Sequence, residues 1–318
     1  MDLDSWMSTL PDIIKNKPIN HIIMPGTHDS CAYKLNHNVN FNNKLYKYLN
    51  FASRHSSFIR NIVNDWTLTQ KMSIYDQLMN GIRCLDIRVS YDEKDDMVYT
   101  SHTFCSIPLT KVLSDINMFI KHRQEVVIVD INPDWNNREM LTPEINDNII
   151  NLVNTLLGKS LCKASDNFRT LQEMIDNNEK IMLYYGGKYI NTYDFIWPSV
   201  YLYNPWDNTS NLSIKKQMLD KDLSQINYNH MMNCIGLNLT PNDHSITRDV
   251  VKRIFLPLCY QHQSVQSYSE IMGDYYGDFI RTHYDKLPCI SRLTFDFPTN
   301  EEISNVILLN YKFKDTIQ

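Results

Sequence analysis

The chain has 318 residues, of which 43% are hydrophobic and 21% charged, and its formal net charge at pH 7 is −5. This composition is ordinary for a globular protein, and a chain of this length buries most of its apolar surface on folding. The acidic balance argues against an extended phosphate-binding surface, because nucleic-acid binders usually present a basic face. We therefore expect one large domain over residues 1–318 and no nucleic-acid partner.

The seven cysteines are scattered singly and form no CxxC pair, so neither a zinc site nor a disulfide framework is indicated. The first residues lack the basic and apolar regions of a signal peptide, and the longest apolar runs fall far short of the roughly 18 residues that span a bilayer. We expect a soluble, cytoplasmic protein with no cofactor and no obligate protein partner. Its many Asn, Ile, Lys and Tyr residues hint at an AT-rich coding genome, such as that of a virus or a protist.

Short apolar, β-rich runs alternate with helical stretches along the chain. The strand candidates are residues 21–27, 84–90, 125–131, 180–185, 199–203, 234–239 and 292–297, with 97–104 as a hairpin arm. The helix candidates are residues 109–123, 143–157, 170–178, 212–232, 246–256 and 301–310. Seven or eight such repeats without an internal boundary predict an α/β fold, a single irregular TIM-type (β/α) barrel with a closed parallel sheet.

The first strand candidate ends in a polar cluster within the stretch HIIMPGTHDSCAY, residues 21–33. Because Pro25 and Gly26 end the apolar run, His28 and Asp29 are expected at the carboxyl end of the strand, where α/β folds carry their chemistry. The plain alternative is a turn in which Asp29 or Ser30 caps a helix and His28 is solvated.

The second strand candidate, GIRCLDIRVSY, carries two charges on one face. Strand alternation points Asp86 and Arg88 to one side and the apolar residues between them to the other. In a half-exposed antiparallel strand this would be a solvated ion pair worth little. In a parallel barrel the helices cover the outer face, so two inward charges near the mouth are costly unless they serve a site.

A second candidate histidine, His102, follows the acidic turn DEKDD at residues 92–96. Histidines in turns are common, and the chain has ten. Together with His28 and Arg88, however, it completes a set suited to phosphoryl transfer. One imidazole accepts a proton, the other donates one, and the guanidinium neutralises the developing negative charge.

Further polar side chains end the later strands. EVVIVDINP supplies Asp130 and Asn132, KIMLYYGG supplies Tyr184 and Tyr185, and RLTFDFP supplies Asp296. Each of these residues alone could satisfy buried backbone groups. Their shared position at strand carboxyl ends favours a site, and we take Asp130, Asn132 and Tyr185 as candidate substrate-binding residues.

A set of motifs occurs in one order between about residues 5 and 310: SWMSTLP, IMPGTHDS, WTLTQKMSIYDQLMNGIRCLDIRV, SHTF, EVVIVDIN, IWPSVYLYNPWDNT and LTFDF. Together they resemble the phosphatidylinositol-specific phospholipase C X-domain family, and most of all its stand-alone X-domain proteins. GTHDS followed by GIRxLDIR is specific, whereas each short motif alone is weak. The resemblance covers nearly the whole chain and implies an irregular TIM-type barrel.

The resemblance also implies catalytic roles. His28 matches the general base that takes the proton from the inositol 2-hydroxyl, and His102 matches the general acid that protonates the departing diacylglycerol oxygen. Asp29 and Asp86 match the carboxylates beside these histidines. Asp296 lies where the last strand of the bacterial-type enzymes supplies a carboxylate that orients the first histidine.

Arg88 separates two branches of that family. The calcium-dependent animal enzymes carry a carboxylate ligand there, and the bacterial-type enzymes an arginine. A fixed guanidinium can stabilise phosphorane oxygens as a divalent cation would, and it would repel such a cation. The resemblance therefore implies a metal-independent enzyme that forms diacylglycerol and inositol 1,2-cyclic phosphate, which it then hydrolyses slowly.

The segment of residues 31–69 mixes aromatic side chains with Lys and Arg, which suits transient contact with an anionic membrane surface. Its aromatic residues are Tyr33, Phe41, Tyr46, Tyr48, Phe51, Phe58 and Trp66. The alternative is that they form the core of an excursion beside the barrel. Trp206 in NPWDNT either lines the site, as a substrate-binding residue, or lies on a membrane-facing rim.

Two rival functions stay open. One is a barrel phosphodiesterase of the glycerophosphodiesterase or sphingomyelinase D type, which also uses two histidines. Resemblance to those enzymes would imply magnesium bound by carboxylates, which the pairing of Asp86 with Arg88 opposes. The other is a catalytically silent lipid-binding or scaffold protein on the same barrel, which the retained His28, His102 and Arg88 count against.

Overall fold

The computed structural model describes residues 2–36, 44–165, 167–187, 193–226, 231–255 and 260–314. The strands in these ranges are β1 (Met24–Thr27), β2 (Cys84–Asp92), β3 (Met97–His102), β4 (Phe104–Pro108), β5 (Val127–Pro133), β6 (Ile181–Tyr185), β7 (Ile196–Trp197), β8 (Leu202–Tyr203), β9 (Met232–Leu237) and β10 (Arg292–Phe295). The α-helices are α1 (Asp12–Lys15), α2 (Lys44–His55), α3 (Ser57–Thr67), α4 (Ile74–Met79), α5 (Leu109–Lys121), α6 (Pro143–Leu157), α7 (Leu171–Asp176), α8 (Leu212–Gln225), α9 (Asp243–Phe255), α10 (Val265–Thr282) and α11 (Asn300–Lys312).

The strands form one curled sheet in the order β7-β6-β5-β2-β1-β10-β9-β8. Neighbours in this order are parallel, whereas β3 and β4 form an antiparallel hairpin beside β2. Helices lie between most successive strands. The predicted α/β fold of the irregular TIM-barrel type is confirmed.

The expected closure of the sheet is not found: no pairing joins β7 to β8 within the described ranges. The reason is the short connection between them. Residues 198–201 contain only Pro198 and one 3-10 turn over Ser199–Tyr201, whereas adjacent parallel strands need a crossover of about a dozen residues. The barrel is therefore open at this point, and the strand predicted at 199–203 is reduced to the two residues of β8.

Most of the predicted elements are present with shifted ends, and five helices were missed. The expected strand at 21–27 starts only at Met24, after a 3-10 turn over Ile19–His21. The missed helices are the single turn α1 and the longer α2, α3, α4 and α10. In α10, glycines and tyrosines obscure the apolar period, although Ser264 and Ser267 form a capping box at its start.

The alternation of side chains along β2 places Asp86 and Arg88 on one face, as the sequence predicted. Leu85, Ile87 and Val89 are fully buried in the core between the sheet and its helices. Asp86 and Arg88 lie on the opposite, inner face, in register with Asp130 and Asn132 of β5. Since parallel strands end together, this register carries polar side chains of both strands to one mouth of the barrel.

A buried ion pair lies at the amino end of the sheet. Arg83 and Glu125 are both fully buried and lie 2.7 Å apart, Nη2 to Oε2. Glu125 also accepts hydrogen bonds from the backbone N–H groups of Met7 and Ser8. The pair therefore fastens the N-terminal segment to the sheet, and removing one partner would leave a buried charge without compensation, at a cost of about 3–5 kcal/mol.

Two features bear on the protein's surroundings. Within the described ranges, none of the helices combines the length and the apolar character needed to cross a membrane. The six cysteines in those ranges are buried free thiols, and burial raises the pKa of Cys31, Cys84 and Cys105. These thiols are packing residues and not nucleophiles.

Candidate active site

The turn after β1 carries His28 and Asp29, and it is held rigidly from three sides. Asp29 has φ of 40°, in the left-handed region that Asp tolerates better than most residues. The side chains of Thr69 and Gln70 donate to the carbonyl of His28. Gln77 donates to the carbonyl of Ser30 at 2.7 Å. These uncharged polar groups satisfy the turn's backbone, so its strained shape is maintained.

His28 lies between two carboxylates. Its Nδ1 is 2.8 Å from Asp296 Oδ1, and its Nε2 is 3.0 Å from Asp29 Oδ2. Burial lowers the pKa of His28, but the charges of Asp29 and Asp296 raise it more, and the net pKa is well above 6.5. In the free protein both ring nitrogens therefore carry protons, and His28 is an imidazolium ion.

His102 approaches the same oxygen of Asp29 as His28 does. Its Nε2 is 3.3 Å from Asp29 Oδ2, and its Nδ1 is 2.7 Å from the carbonyl oxygen of Thr67. A carbonyl only accepts hydrogen bonds, so Nδ1 must donate to it. The ring centroids of His28 and His102 are 6.0 Å apart. Asp29 thus lies between the two histidines and contacts the Nε2 atom of each.

Arg88 neutralises the carboxylates from the next strand. Its Nε and Nη2 donate to the two oxygens of Asp86 at 3.0 and 3.3 Å, and its Nε is 3.5 Å from Asp29 Oδ1. The charge of Asp86 raises the pKa of Arg88 further above its usual range. Asp86 also accepts the backbone N–H of Asp29. The guanidinium is therefore fixed in a fork geometry, with 30% of its side chain open to solvent.

Asp130 and Asn132 lie one strand further along. Asn132 Nδ2 donates to Asp130 Oδ1 at 2.7 Å, and the buried Arg292 approaches Asp130 Oδ2 at 3.9 Å. Burial, and then the charge of Asp86, raises the pKa of Asp130. These two candidate residues border the group around Asp29, and Arg292 supports them from the barrel interior.

Tyr185 is not brought to this group. Its register partner is Ile131, on the face that the helices cover, and its hydroxyl donates to Asn146 of α6. The residue of β6 that shares the face of Asp130 is Tyr184. A strand end with two successive tyrosines does not reveal which of them points inward, and choosing the second reversed the face.

Trp206 covers His28. The two ring centroids are 4.7 Å apart with an interplanar angle of 34°, and Trp206 is 51% exposed. The loop that carries it is anchored by the neighbouring Asp207, whose carboxylate pairs with the buried Lys215 of α8 at 2.9 Å. Trp206 therefore lies both against the site and at its rim, so the two alternatives stated for it are compatible.

The group also contains ligand-capable atoms for a metal ion: atoms of His28, Asp29 and Asp86 all lie within 4.8 Å of one another. Most of these ligand atoms already have partners, although Asp29 Oδ1 accepts no hydrogen bond from the described residues. Asp86 binds the Arg88 guanidinium with both oxygens, and His28 is held by two carboxylates. A divalent cation would have to displace Arg88, whose positive charge opposes it.

Several supporting residues were missed in the sequence. Thr69, Gln70 and Gln77 are almost fully buried, and they lie in the motif WTLTQKMSIYDQL without having been assigned a role. The Thr67 carbonyl that orients His102 and the Lys215 that anchors the Trp206 loop depend on tertiary contacts between distant segments. The two glutamines gave no clear signal either, because the stretch around them also contains Thr, Lys, Ser and Asp residues.

Replacing Asp296 by Asn is expected to lower the pKa of His28, since one of the two charges that raise it is removed. In the wild type the folded pKa of His28 exceeds its unfolded value near 6.5. The stabilisation from protonated His28 is therefore complete below about pH 6.5 and is lost as the pH rises through the raised pKa. NMR titration of the His28 ring, with urea unfolding at about pH 6 and about pH 9, measures both effects.

His28→Gln identifies the His28 signals in that titration. The expectation is wrong if wild-type His28 titrates at its ordinary value, or if Asp296→Asn leaves both the titration and the pH dependence of unfolding unchanged.

Comparison with known proteins tests the resemblance that the motifs indicate. Residues 41–184 match the family described as phosphatidylinositol-specific phospholipase C, X domain. The solved phosphatidylinositol-specific phospholipase C from Listeria monocytogenes superposes with a TM-score of 0.66 at 19% identity, covering 96% of this chain and 98% of that one. The resemblance to the X-domain family is confirmed, and so is its barrel fold.

Curated relatives extend the match beyond the family segment. PI-PLC X domain-containing protein 3 of Mus musculus is 24% identical over 316 residues, covering 98% of this chain and 94% of that protein. PI-PLC X domain-containing protein 2 of Homo sapiens is 26% identical over 254 residues, covering 77% and 80%. The similarity to the mouse protein therefore spans nearly the whole chain, as the motifs predicted.

Proposed function

We propose that this protein cleaves the phosphodiester bond of phosphatidylinositol-type phospholipids, giving diacylglycerol and inositol 1,2-cyclic phosphate. The observation that carries the proposal is the arrangement of two histidines joined by Asp29, with a fixed guanidinium beside them. The family match over residues 41–184 supports the class of substrate. The likeness to bacterial enzymes supports the fold on which such chemistry is carried.

His28 is the proposed general base. The inositol 2-hydroxyl would replace Asp29 as the hydrogen-bond partner of Nε2, and losing that carboxylate contact lowers the pKa of His28. Once Nε2 is unprotonated it accepts the hydroxyl proton while the oxygen attacks phosphorus. Asp296 stays bonded to Nδ1, so the ring keeps its orientation and its positive charge is compensated as it forms.

His102 is the proposed general acid. Its Nδ1 is committed to the carbonyl of Thr67, so the proton on Nε2 is the one available for transfer. As the new oxygen–phosphorus bond forms, the bond from phosphorus to the glycerol oxygen breaks, and His102 protonates that oxygen. The two histidines exchange roles when water later opens the cyclic phosphate.

Arg88 is proposed to stabilise the phosphorane oxygens without a metal ion. Its side chain is fixed by the carboxylate of Asp86, so no reorganisation is needed as negative charge develops on the phosphate. Asp86 and Asp29 keep the guanidinium in place. Metal independence follows as a proposal from this geometry, because the position that a cation would take is held by a permanent positive charge.

Substrate contacts are proposed for the side chains that border this group. Trp206 covers His28 with an exposed ring, which suits packing against the apolar face of a sugar ring. Asp130 and Asn132 offer hydrogen bonds to inositol hydroxyls from the adjacent strand. Tyr185 is left out of this set, since its hydroxyl is bonded to α6.

Contact with the membrane surface is proposed for the helical excursion that precedes β2. Tyr48 and Phe51 of α2 are 74% and 60% exposed, and Phe58 of α3 is 47% exposed. Such rings suit the interfacial region of a bilayer. Trp66 is buried, as the excursion-core alternative requires for this residue. Phe41 and the side chain of Tyr46 lie outside the described part of the chain.

The rival functions are less well supported by this geometry. A magnesium-dependent phosphodiesterase needs free carboxylates, and here Asp86 is bound by Arg88. A silent scaffold does not require two histidines, each oriented by a hydrogen bond to its Nδ1. Preorganisation of this kind favours a catalyst.

Purified protein is expected to convert phosphatidylinositol in mixed micelles to diacylglycerol and a cyclic inositol phosphate in the presence of EDTA. The physical reason is that Arg88 supplies the charge that a cation would otherwise supply. Phosphorus NMR of the water-soluble products measures the cyclic phosphate directly. Parallel reactions with added calcium or magnesium serve as controls.

Turnover that appears only with one of these metals would contradict the role of Arg88 while leaving the substrate class intact. No turnover of phosphatidylinositol under any of these conditions would contradict the proposed function itself.

A further inference from the structure

The orientation of His102 depends on the end of one helix. Its Nδ1 donates to the carbonyl oxygen of Thr67 at 2.7 Å, and Thr67 is the last residue of α3. Its other ring nitrogen, Nε2, faces Asp29. The direction in which Nε2 points is therefore set by the position of the last turn of α3.

That last turn is held from the side by α9. The indole N–H of Trp66 donates to Asp249 Oδ2 at 3.0 Å, and Trp66 immediately precedes Thr67 in the chain. Trp66 is buried and Asp249 is fully buried. A hydrogen bond from a rigid ring to a charged acceptor is short and directional, so it fixes the end of α3 against α9.

Asp249 is itself fixed by two further contacts. Its Oδ2 lies 2.6 Å from Arg253 Nε within α9, and its Oδ1 accepts the backbone N–H of Gln263 at 2.9 Å, just before α10. Arg253 also pairs with Asp65 of α3 at 2.6 Å. One buried carboxylate thus ties α3, α9 and the start of α10 together. Because a buried ion pair often adds little net stability, this arrangement points to a role in fixing α3.

We propose that Asp249 is a positioning residue for the general acid, His102, and acts through Trp66. The inference rests on the proposed function, since it concerns the step in which His102 protonates the departing glycerol oxygen. While Trp66 is bonded to Asp249, the carbonyl of Thr67 stays in place and Nε2 keeps its direction. Without this bond the last turn of α3 shifts, and the proton is delivered from a poorer position.

The general base should be affected less. The ring of His28 is held by carboxylates at both nitrogens, and α3 supplies neither of them. Thr69 and Gln70, which follow α3, bond only the backbone carbonyl of His28. A shift of α3 therefore impairs protonation of the leaving group more than removal of the hydroxyl proton.

Trp66→Phe tests the proposal, because it keeps an aromatic ring and removes the indole N–H. Trp6→Phe is the matched control. Trp6 is fully buried, and its indole N–H donates to the carbonyl of Gly81 at 2.9 Å, at the amino end of the sheet. Turnover is compared on two soluble inositol phosphodiesters, with a butyl or a p-nitrophenyl leaving group. Butoxide leaves readily only when it is protonated, whereas nitrophenolate leaves as a stable anion.

Trp66→Phe should lower kcat for the butyl ester about tenfold, a part of the roughly 10²- to 10⁴-fold that a general acid contributes, and change kcat for the nitrophenyl ester less than about twofold. KM should be unchanged for both esters, and Trp6→Phe should leave the ratio of the two kcat values as in the wild type. In a His102→Ala background, Trp66→Phe should cause no further loss for either ester, because coupled residues are not additive.

Nitrogen NMR of the His102 ring follows the hydrogen bond at Nδ1 without any turnover. Trp66→Phe should shift the Nδ1 resonance, which His102→Gln assigns, whereas Trp6→Phe should leave it unchanged. Asp249→Asn should act as Trp66→Phe does where melting curves show that it is folded. Trp66→Phe alone decides the matter if Asp249→Asn is not, because the pair of Asp249 and Arg253 is kept in that variant.

Equal losses for the two esters in Trp66→Phe would overturn the role of Asp249 and leave the proposed function intact. The same holds for an unchanged Nδ1 resonance, and for a further loss in the His102→Ala background. Failure of the wild type to cleave either ester would contradict the proposed function itself, and with it the role of His102 on which this inference rests.

Discussion

Alanine at either His28 or His102 is expected to lower kcat by at least about 10²-fold, the scale of a positioned general acid or base. The reason differs for the two residues. Without His28 no group remains to accept the hydroxyl proton beside Asp296. Without His102 the departing oxygen must leave unprotonated. Turnover of a water-soluble inositol phosphodiester measures the chemical step without the complication of membrane binding.

The stability of the two variants should differ as well. His28 is buried between Asp29 and Asp296, so its removal deprives the buried Asp296 carboxylate of its partner, and Tm should fall. His102 has a more exposed side chain, and its removal should change Tm less. Activity must therefore be compared at a temperature where both variants are fully folded.

His122→Ala is the matched control, because this exposed histidine ends α5 and takes no part in the site. Near wild-type turnover in His28→Ala or His102→Ala would show that another group performs the proton transfer proposed for that histidine. Equal losses in the control would show that the assay reports a general effect of the substitutions.

The face of each charge on β2 could be predicted from the sequence, because strand alternation is a local property. Asp86 and Arg88 lie on the inner face for the same reason that Leu85 and Ile87 lie on the outer one. The convergence of strand ends at one mouth also follows from parallel topology alone. These two rules were sufficient to predict that most of the candidate site residues lie close together.

The contacts that orient the site could not be predicted in this way. The Nδ1 of His102 is held by the Thr67 carbonyl at the end of α3, and α3 itself was missed. The choice between Tyr184 and Tyr185 depended on the exact register, and an error of one residue reverses the face. The prediction of a closed barrel was wrong at residues 198–201. The number of strand–helix repeats does not reveal whether each connection is long enough for a crossover.

Arg88→Lys is expected to lower kcat by about 10²- to 10³-fold although the charge is kept. Arg88 donates from Nε and Nη2 to the two oxygens of Asp86, and a lysine ammonium cannot reproduce this fork. The charge would then be mobile instead of fixed beside the phosphate. Arg281→Lys, at a side chain that is 76% exposed, is the matched control and should keep wild-type turnover.

Arg88→Asp tests whether the guanidinium takes the place of a cation. This change puts a second carboxylate on the inner face of β2 beside Asp86, near Asp29, and carboxylate oxygens are the ligands that calcium prefers. The variant should lose at least about 10³-fold in kcat in EDTA, because the phosphate then meets a carboxylate in place of the guanidinium. Millimolar calcium should restore part of that loss, whereas it should leave the wild type unchanged. Turnover of the soluble inositol phosphodiester, measured with and without calcium, shows whether Arg88 takes the place of a cation. Undiminished activity of Arg88→Lys in EDTA would show that a fixed fork is not required, and calcium activation of the wild type would show that Arg88 does not replace a metal ion.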